Sequence, residues 1–494
     1  MADENDAVVT PITTMNLTGR KQIFTSLEVN EDNLSEILND AFMVHMTNAI
    51  EIDYLFNYYK GNQPILLKTK PFRPEINNRV LKNYAFQIVD FHTGNTFSQP
   101  IQYVQAVDTP KDDAGSRAEP SHITKLNRLM RQTFKSTKDR ELGEHMFICG
   151  TGYRITLPSK DDVAPFLTDI LNPRRTFVVY SNDIGREPVL GVHYNKQHDY
   201  QHETTQFKIT AYSKNKIWKI ERSGQRIKVT GVKPNPLGVV PIVEYPLNPN
   251  RLGQFEPVIS LLDSINNIES NRADAIQQVV QAILKFKNCE IDEDVVKKIQ
   301  EWGALQVDSD DGSADAEYIS ADLDQSQAQE LIDDLYQSVL TIANVPDRNF
   351  SSGGNTGQAL VIGQGWQSAN NTAESVELMF KQSEYNFLKA VFKILEINDM
   401  EEYEDLKNVN LREIGIKFTR SKTYNLLTKT QGLQNLLEAG IHPRIAMEKV
   451  DLFTDAEEDY QASKPYLKKW EASIEDTPEE PANNKPDPNE PINI

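Results

Sequence analysis

Two stretches repeat apolar side chains every three or four residues, and each carries acids on its opposite face. In the first, Val258, Leu262, Ile265, Ile268, Ile276, Val279 and Ile283 recur at that spacing, with Arg272 on the same line. The period is helical rather than strand-like. It predicts a helix over Glu256–Leu284, roughly 43 Å long at ~1.5 Å per residue. In the second, Ala328, Leu331, Ile332, Leu335, Val339 and Ile342 predict a helix over Asp322–Ala343. The polar positions of the two helices hold Glu256, Asp263, Glu269, Asp274, Asp322, Asp324, Glu330, Asp333 and Asp334, against the single base Arg272. One such face is an ordinary solvated surface. Two neighbouring ones point to a shared surface that repels polyanions.

The rest of the chain arranges itself around this pair. From Glu31, the residues Leu34, Ile37, Leu38, Phe42, Met43 and Met46 share one helical face, and the pattern runs on to Tyr59 with Gly61 as its stop. One helix or two with a break near Met46–Asn48 fit equally. Residues 62–110 read as extended, with short β-forming runs at Phe86, Ile88 and Phe97 and a turn at Gly94-Asn95. Ile123–Ile148 reads as one helix with Leu126, Leu129, Met130, Phe134, Leu142 and Met146 apolar; Gly150-Thr151-Gly152 then leads into a strand, Tyr153–Leu157. Over 174–246, six short strands (Thr176–Tyr180, Val189–Tyr194, Phe207–Tyr212, Ile217–Ile220, Ile227–Val229 and Val240–Tyr245) read as an antiparallel meander or small barrel with one wet face.

Leu284–Ser320 separates the two long helices and reads as a strand (Lys285–Ile291), a short helix (Glu293–Trp302) and a strand pair around Asp308–Gly312. The polar loop Pro346–Gly357 follows. A long helical region comes next, kinked by Gly363 and Gly365, with Val376, Met379, Phe380, Phe387, Leu388, Val391, Phe392 and Leu395 on a wide apolar face. Asn410–Arg420 reads as a strand. Helices run over Asn425–Ala439 and Pro443–Val450, and Thr454 with Glu457 forms a capping box for a third. From Glu471 on, five prolines and seven acids stand against Lys485 alone, which predicts a disordered tail.

Composition narrows the function. The 494 residues suffice for two to four domains, and the 25% charged and 39% hydrophobic content is that of a folded soluble protein. The net charge of −20 argues against a conventional nucleic-acid binder, which gains affinity by neutralising phosphates with Lys and Arg. Such a chain avoids nucleic acid, or touches it without holding it. Cys149 and Cys289 lie in apolar contexts and read as buried thiols of a reducing cytoplasm. No run of 18 apolar residues suggests a membrane span, and the acidic N-terminus lacks the apolar core of a secretory signal.

No catalytic constellation emerges. Gly150-Thr151-Gly152 follows a helix and precedes a strand, the reverse of a dinucleotide fingerprint. The Gly-rich part of 346–357 lacks the Lys-Ser/Thr of a phosphate-binding loop. Asp308-Ser309-Asp310-Asp311 fails as a calcium loop, because Gly312 stands at a ligand position and Ser313 at the glycine position. His198 and His202 have helical spacing without a convincing helix around them. Zinc-type cysteine and histidine spacings are missing. The residues by themselves describe an acidic α+β protein with a helical pair and no active site, cofactor or metal.

Several stretches resemble the portal proteins of tailed bacteriophages, in the family typical of siphophages of Gram-positive hosts. Tyr54-Leu55-Phe56-Asn57-Tyr58-Tyr59-Lys60-Gly61-Asn62-Gln63-Pro64-Ile65 resembles that family's early motif, and Gly150-Thr151-Gly152-Tyr153 its helix-to-strand turn. Asn235–Tyr245 is similar to the strand before its stem, and Phe255–Asp263 to the stem's start. The likeness spans roughly Asn33 to Asp459, and its strength lies in the order and spacing of the motifs.

The resemblance implies an α+β portal fold with a flexible N-terminus (1–30) and an α/β wing (31–255). Stem helices at 256–284 and 321–345 flank a small α/β clip (285–320). A tunnel loop (346–357), a kinked wing helix (358–409), a helical crown (410–470) and an acidic tail (471–494) complete it. It also implies a homo-oligomeric ring, twelvefold in the virion, at one capsid vertex. That ring passes double-stranded DNA in packaging and ejection. Terminase, a head-completion or connector protein, scaffold and major capsid protein are the implied partners, with assembly in the host cytoplasm and no membrane.

Asp347, Arg348, Asn349, Phe350, Ser351, Ser352, Gly353, Gly354 and Asn355 would meet DNA in the tunnel loop. Lys297, Lys298 and Trp302 would dock the motor in the clip. The alternatives are another structural ring, such as a head–tail connector, and a metal-dependent DNA-processing enzyme.

Overall fold

The computed structural model describes residues 17–71, 73–105, 121–159, 164–199, 204–280, 283–287, 315–319, 325–347, 365–398, 403–407, 409–419, 426–450, 452, 459–460 and 463. Helices and sheets are mixed along the chain, as an α+β fold requires.

A six-stranded sheet forms one end. Its order is β1 (Ile23–Thr25), β5 (Thr176–Ser181), β6 (Pro188–Asp199), β7 (Thr204–Tyr212), β8 (Lys216–Ser223) and β9 (Arg226–Pro234). β1 pairs with β5 in parallel and all other neighbours are antiparallel. Helix α1 (Leu34–Tyr59) lies on one face of this sheet. Phe42 anchors it, 5.2 Å from Phe177 and 5.3 Å from Tyr194 between ring centres. Burying one such side chain contributes about 1.5–3 kcal/mol. The helix runs unbroken through Met46–Asn48, and Gly61 follows it at φ 91°. Met43, placed by its spacing on the apolar face, is instead 68% exposed.

The last predicted strand of the meander goes elsewhere. β10 (Ile242–Pro246) joins β3 (Thr151–Pro158) and β4 (Phe166–Leu171) in a separate three-stranded sheet. Gly191 of β6 allows the contact between the two sheets, since a Cβ there would lie 2.9 Å from Ile242 and Val240 side-chain atoms.

Two helical expectations are corrected. Tyr84–Thr96 is a helix, α2, not a set of extended runs. The Asn83 side chain accepts from the Phe86 N–H at its start, and Ala85, Ile88, Val89, His92 and Thr96 are buried at helical spacing. Gly94-Asn95 is its last turn rather than a hairpin. Residues 121–149 form two helices, α3 (Ser121–Gln132) and α4 (Lys135–Cys149). Phe134 breaks them at φ 54°, a left-handed conformation, and is exposed rather than part of the apolar face. At the end of α4, Gly150 has φ 79°, and a Cβ there would meet the Arg251 carbonyl oxygen at 2.0 Å.

The long helices complete the core. α5 (Ile259–Val280) follows a single 3₁₀ turn, Glu256–Val258, and is roughly 33 Å long at ~1.5 Å per residue. Past it, β11 (Ile283–Lys287) pairs with β12 (Asp315–Ile319), so the chain is already extended where the sequence pattern continued the helix. α6 (Gln325–Ile342) returns against α5. α7 (Trp366–Ile397) is one helix. Gly365 is its N-cap at φ 81° and not a kink, while Gly363 lies outside the described residues.

α8 is the single turn Glu404–Lys407. β13 (Ile414–Lys417) pairs with β2 (Gln102–Gln105), tying the chain after α7 back to the segment between α2 and α3. α9 (Leu426–Glu438) and α10 (Pro443–Val450) lie close to prediction. The Asp308 cluster, the Thr454/Glu457 cap and the tail lie outside the described residues.

A buried polar knot joins these layers. Arg154 of β3 is bonded to Asp139 and, at 3.3 Å, to Glu384 of α7. Lys135 reaches Asp139 at 2.7 Å and Glu384 at 2.8 Å. The hydroxyls of Tyr103 and Tyr245 donate to Glu384 at 2.6 and 2.8 Å. Two cations and two carboxylates balance each other in the interior. Burial pushes Glu384 up, but Lys135 and Arg154 prevail and hold it below the usual carboxylate range.

Candidate functional site

The paired helices α5 and α6 are the functional candidate, and the structure divides their acids into two groups. Those of the first helix turn back into the subunit. Glu256 is buried against Arg20, whose two terminal nitrogens donate to it at 3.0 and 2.9 Å. It also accepts the Gly253 N–H at 2.6 Å. Burial raises its pKa, with Arg20 opposing. Asp263 accepts from Tyr58 at 2.8 Å. Glu269 is bonded to Lys82. Asp274 is 3% exposed, 2.9 Å from Lys68 and 2.6 Å from the Asn78 N–H. Burial acts upward on Asp274, but the Asn78 bonds and Lys68 outweigh it and hold the carboxyl at about 2.

The contacts to Glu269 and Asp274 come from one strap of chain. Residues 63–71 and 73–82 run along α5 and satisfy much of its polar face. Gln63 accepts from Asn266 at 2.7 Å, Lys82 N–H donates to Asn266 at 2.8 Å, and Val80 N–H donates to Ser270 at 2.9 Å. Glu256 and Asp274 are therefore removed from the expected solvent-facing acidic set. The reason is physical: a buried carboxylate keeps its charge only beside a cation or several donors, and Arg20, Lys68 and Asn78 supply them. Arg20, Tyr58, Lys68 and Lys82 are the partners that sequence spacing missed, because each lies about 200 residues or more from the acid it meets.

The acids of α6 behave differently. Glu330, Asp333 and Asp334 are exposed. Ile332 and Val339 are buried on the other side, in the same core as Leu262 and Ile265. Arg272 of α5 donates to Gln329 of α6 at 2.9 Å, and Gln329 donates to Asp333 at 2.7 Å. The predicted apolar stripes are only partly covered: Ile276, Leu331 and Ile342 are half exposed. The C-terminal end of α6 is pinned where the Ala343 carbonyl accepts from Gln254 at 3.1 Å and lies 2.8 Å from His92 Nε2. Asp347 accepts from Gln337 at 2.9 Å. Asp322, Asp324, Arg348–Asn355, Lys297, Lys298 and Trp302 lie outside the described residues, as do Cys289 and His202; Cys149 is buried and His198 stands in β6.

Among the described residues no helix is long and apolar enough to cross a membrane. No curated protein sequence matches the chain. Among solved structures, it is similar to a chain in the neck of an empty GTA particle computed with C6 symmetry, at 12% identity and a TM-score of 0.43, over 82% of this chain and 94% of that one. The model of the family described as phage portal protein, SPP1 Gp6-like, matches residues 43–477, and the chain belongs to that family.

Proposed function

We propose that α5 and α6 stand around the central channel of the portal ring, with the exposed acids of α6 turned toward passing double-stranded DNA. A phage portal protein is a structural component of the capsid, an oligomeric ring through which the genome moves. The observation that supports this placement is the asymmetry of α6. Ile332 and Val339 pack inward, while Glu330, Asp333 and Asp334 face out as one strip that carries no ion pair among the described residues. A phosphate chain near such carboxylates meets like charge and releases no counterions, so it gains no resting place. That is the property a conduit needs.

In this reading the strap-bound acids of α5 stiffen the helix, and Asp347–Asn355 form the tunnel loop that touches DNA briefly. Lys297, Lys298 and Trp302 serve terminase and connector docking. The ring has twelve subunits in the virion, assembles in the host cytoplasm, and meets scaffold and major capsid protein at its rim. The motor supplies the hydrolysis, and this chain is not an enzyme.

Light scattering and negative-stain imaging of the purified chain test the reading. The expected outcome is a ring near twelvefold with a central hole. A stable monomer that cleaves DNA with magnesium would overturn it.

A further inference from the structure

The six-stranded sheet keeps one face under α1 and leaves part of the other bare. At its β5 end the second face is packed by the three-stranded sheet, where Val178, Tyr180 and Tyr212 meet Tyr153, Ile155 and Ile242. Further across, Ile209, Trp218 and Ile220 are buried toward α1, so the alternation of a strand turns Lys208 of β7 and Lys219 of β8 the other way. The register sets Lys208, Glu221 and Lys228 side by side in one row, and Arg226 and Lys233 lie on the same side of β9. All five cations are exposed, with Glu221 as the acid between Lys208 and Lys228.

The sheet itself does not account for this patch. Lysine on an outer strand deters pairing with another strand, which covers β9 but not Lys208 and Lys219 on interior strands. Lysines at the β7–β8 turn beside it do find carboxylates: Lys216 lies 2.6 Å from Glu31 and Lys214 2.6 Å from Glu187. Lys208, Lys219, Arg226, Lys228 and Lys233 form no ion pair among the described residues. Open cations gathered on one surface of a chain with net charge −20 suit an anion-rich segment.

The chain carries such a segment. From Glu471 to Glu490 seven acids stand against Lys485, and Glu475-Asp476 and Glu479-Glu480 form doublets four residues apart. The five prolines of this tail disfavour helix and strand pairing and favour an extended form at ~3.1 Å per residue. In that form Glu471–Glu480 would span roughly 28 Å. Arg226 to Lys233 along β9 covers roughly 20 Å. Glu480 lies seventeen positions past Ser463, the last described residue, a reach of roughly 56 Å at ~3.3 Å per residue. A tethered segment also meets its site at a high effective concentration. Free duplex DNA lacks that advantage and is repelled by the chain's net charge. We propose that the acidic tail, residues 471–494, docks on the basic face of the six-stranded sheet of its own subunit, with its carboxylates beside Lys208, Lys219, Lys228 and Lys233. Docked there, it competes with nucleic acid for that face. The contact does not depend on the ring reading.

Carbodiimide treatment of the full chain tests it, because the reagent couples a lysine amine to a carboxylate in contact with it. Mass spectrometry should find Lys208, Lys228 or Lys233 joined to an acid of 471–490 within one chain, with a yield that falls as salt rises. Reversing the tail, with Glu475→Lys, Asp476→Lys, Glu479→Lys and Glu480→Lys, should remove most of that linkage. So should reversing the face, with Lys208→Glu, Lys228→Glu and Lys233→Glu. The two sets together should restore it with the roles of amine and carboxylate exchanged, a rescue that damage to the fold would not give. No linkage at low salt would overturn the contact, as would links that join only different chains. Duplex binding by the wild type that the face variant loses, with the tail unlinked, would give the face to nucleic acid and refute the tail as its occupant.

Discussion

Arg20 and Glu256 lie 236 positions apart and form a two-point buried ion pair, at 3.0 and 2.9 Å, where the N-terminal segment crosses the turn before α5. Arg20 also reaches Glu51 of α1 at 3.0 Å. One guanidinium thus joins the N-terminal segment, α1 and the turn that launches α5. Its planar fork suits two carboxylates in a way a lysine ammonium does not.

Arg20→Ala should therefore cost about 3–5 kcal/mol, because it strands a buried carboxylate. Chemical denaturation of the isolated subunit measures the loss. Adding Glu256→Gln should recover part of it, since a neutral amide tolerates the site. A single substitution that leaves the unfolding midpoint unchanged would mean the pair contributes nothing.

The knot around Glu384 makes a second prediction. Glu384→Ala leaves Arg154 and Lys135 sharing Asp139 alone and strips Tyr103 and Tyr245 of their acceptor. A loss on the order of 3–5 kcal/mol is expected. It should also loosen α7 against β3 and β10, which hydrogen exchange along α7 would register as faster amide turnover. Unaltered exchange there would confine Glu384 to a local role.

Asp274 gives a pH dependence of known sign. Its folded pKa, about 2, lies below the ordinary 3.8. A depressed carboxylate stabilises the fold fully above the ordinary value and loses that contribution as pH falls through the folded one. The contribution is on the order of 2 kcal/mol near neutrality and roughly half that at about pH 3. Asp274→Asn should be less stable than wild type at neutral pH, with the gap narrowing as pH drops from about 5 to about 3. Urea titrations at each pH provide the comparison, and a gap that widens on acidification would contradict the assignment.

Much of the architecture was legible because it depends on local periodicity. The stripes through Leu262 and Ile265, and through Ile332 and Val339, were right because a helix buries every third or fourth side chain whatever it packs on. Gly150 was legible for a similar reason, since its turn follows the residues beside it. What escaped depends on distant partners. Glu256 and Asp274 have the spacing of solvated acids, and only Arg20, Lys68 and Asn78 make them interior. α2 was misread because its aromatic and β-branched residues resemble a strand, while the Asn83 cap and the burial of His92 settle the matter in three dimensions. Met43 falls in the apolar pattern yet is exposed, because periodicity names a helix face and not what covers each position on it.

The strip on α6 carries the most direct test of the channel. Glu330, Asp333 and Asp334 are exposed, so changing them to lysine should leave the subunit folded and the ring assembled. Three cations per subunit, repeated around a ring, would create a phosphate-binding collar. Each phosphate neutralised releases counterions and makes DNA binding strongly salt-dependent. The triple variant should package DNA poorly at low salt and recover partly as salt rises, because screening weakens the grip. A packaging assay with purified procapsids and motor reads this directly, alongside DNA binding by the free ring. Packaging equal to wild type at every salt concentration would place the strip away from the DNA path. In that case the exposed acids of α6 would face outward from the channel, and the tunnel loop alone would remain to touch the genome.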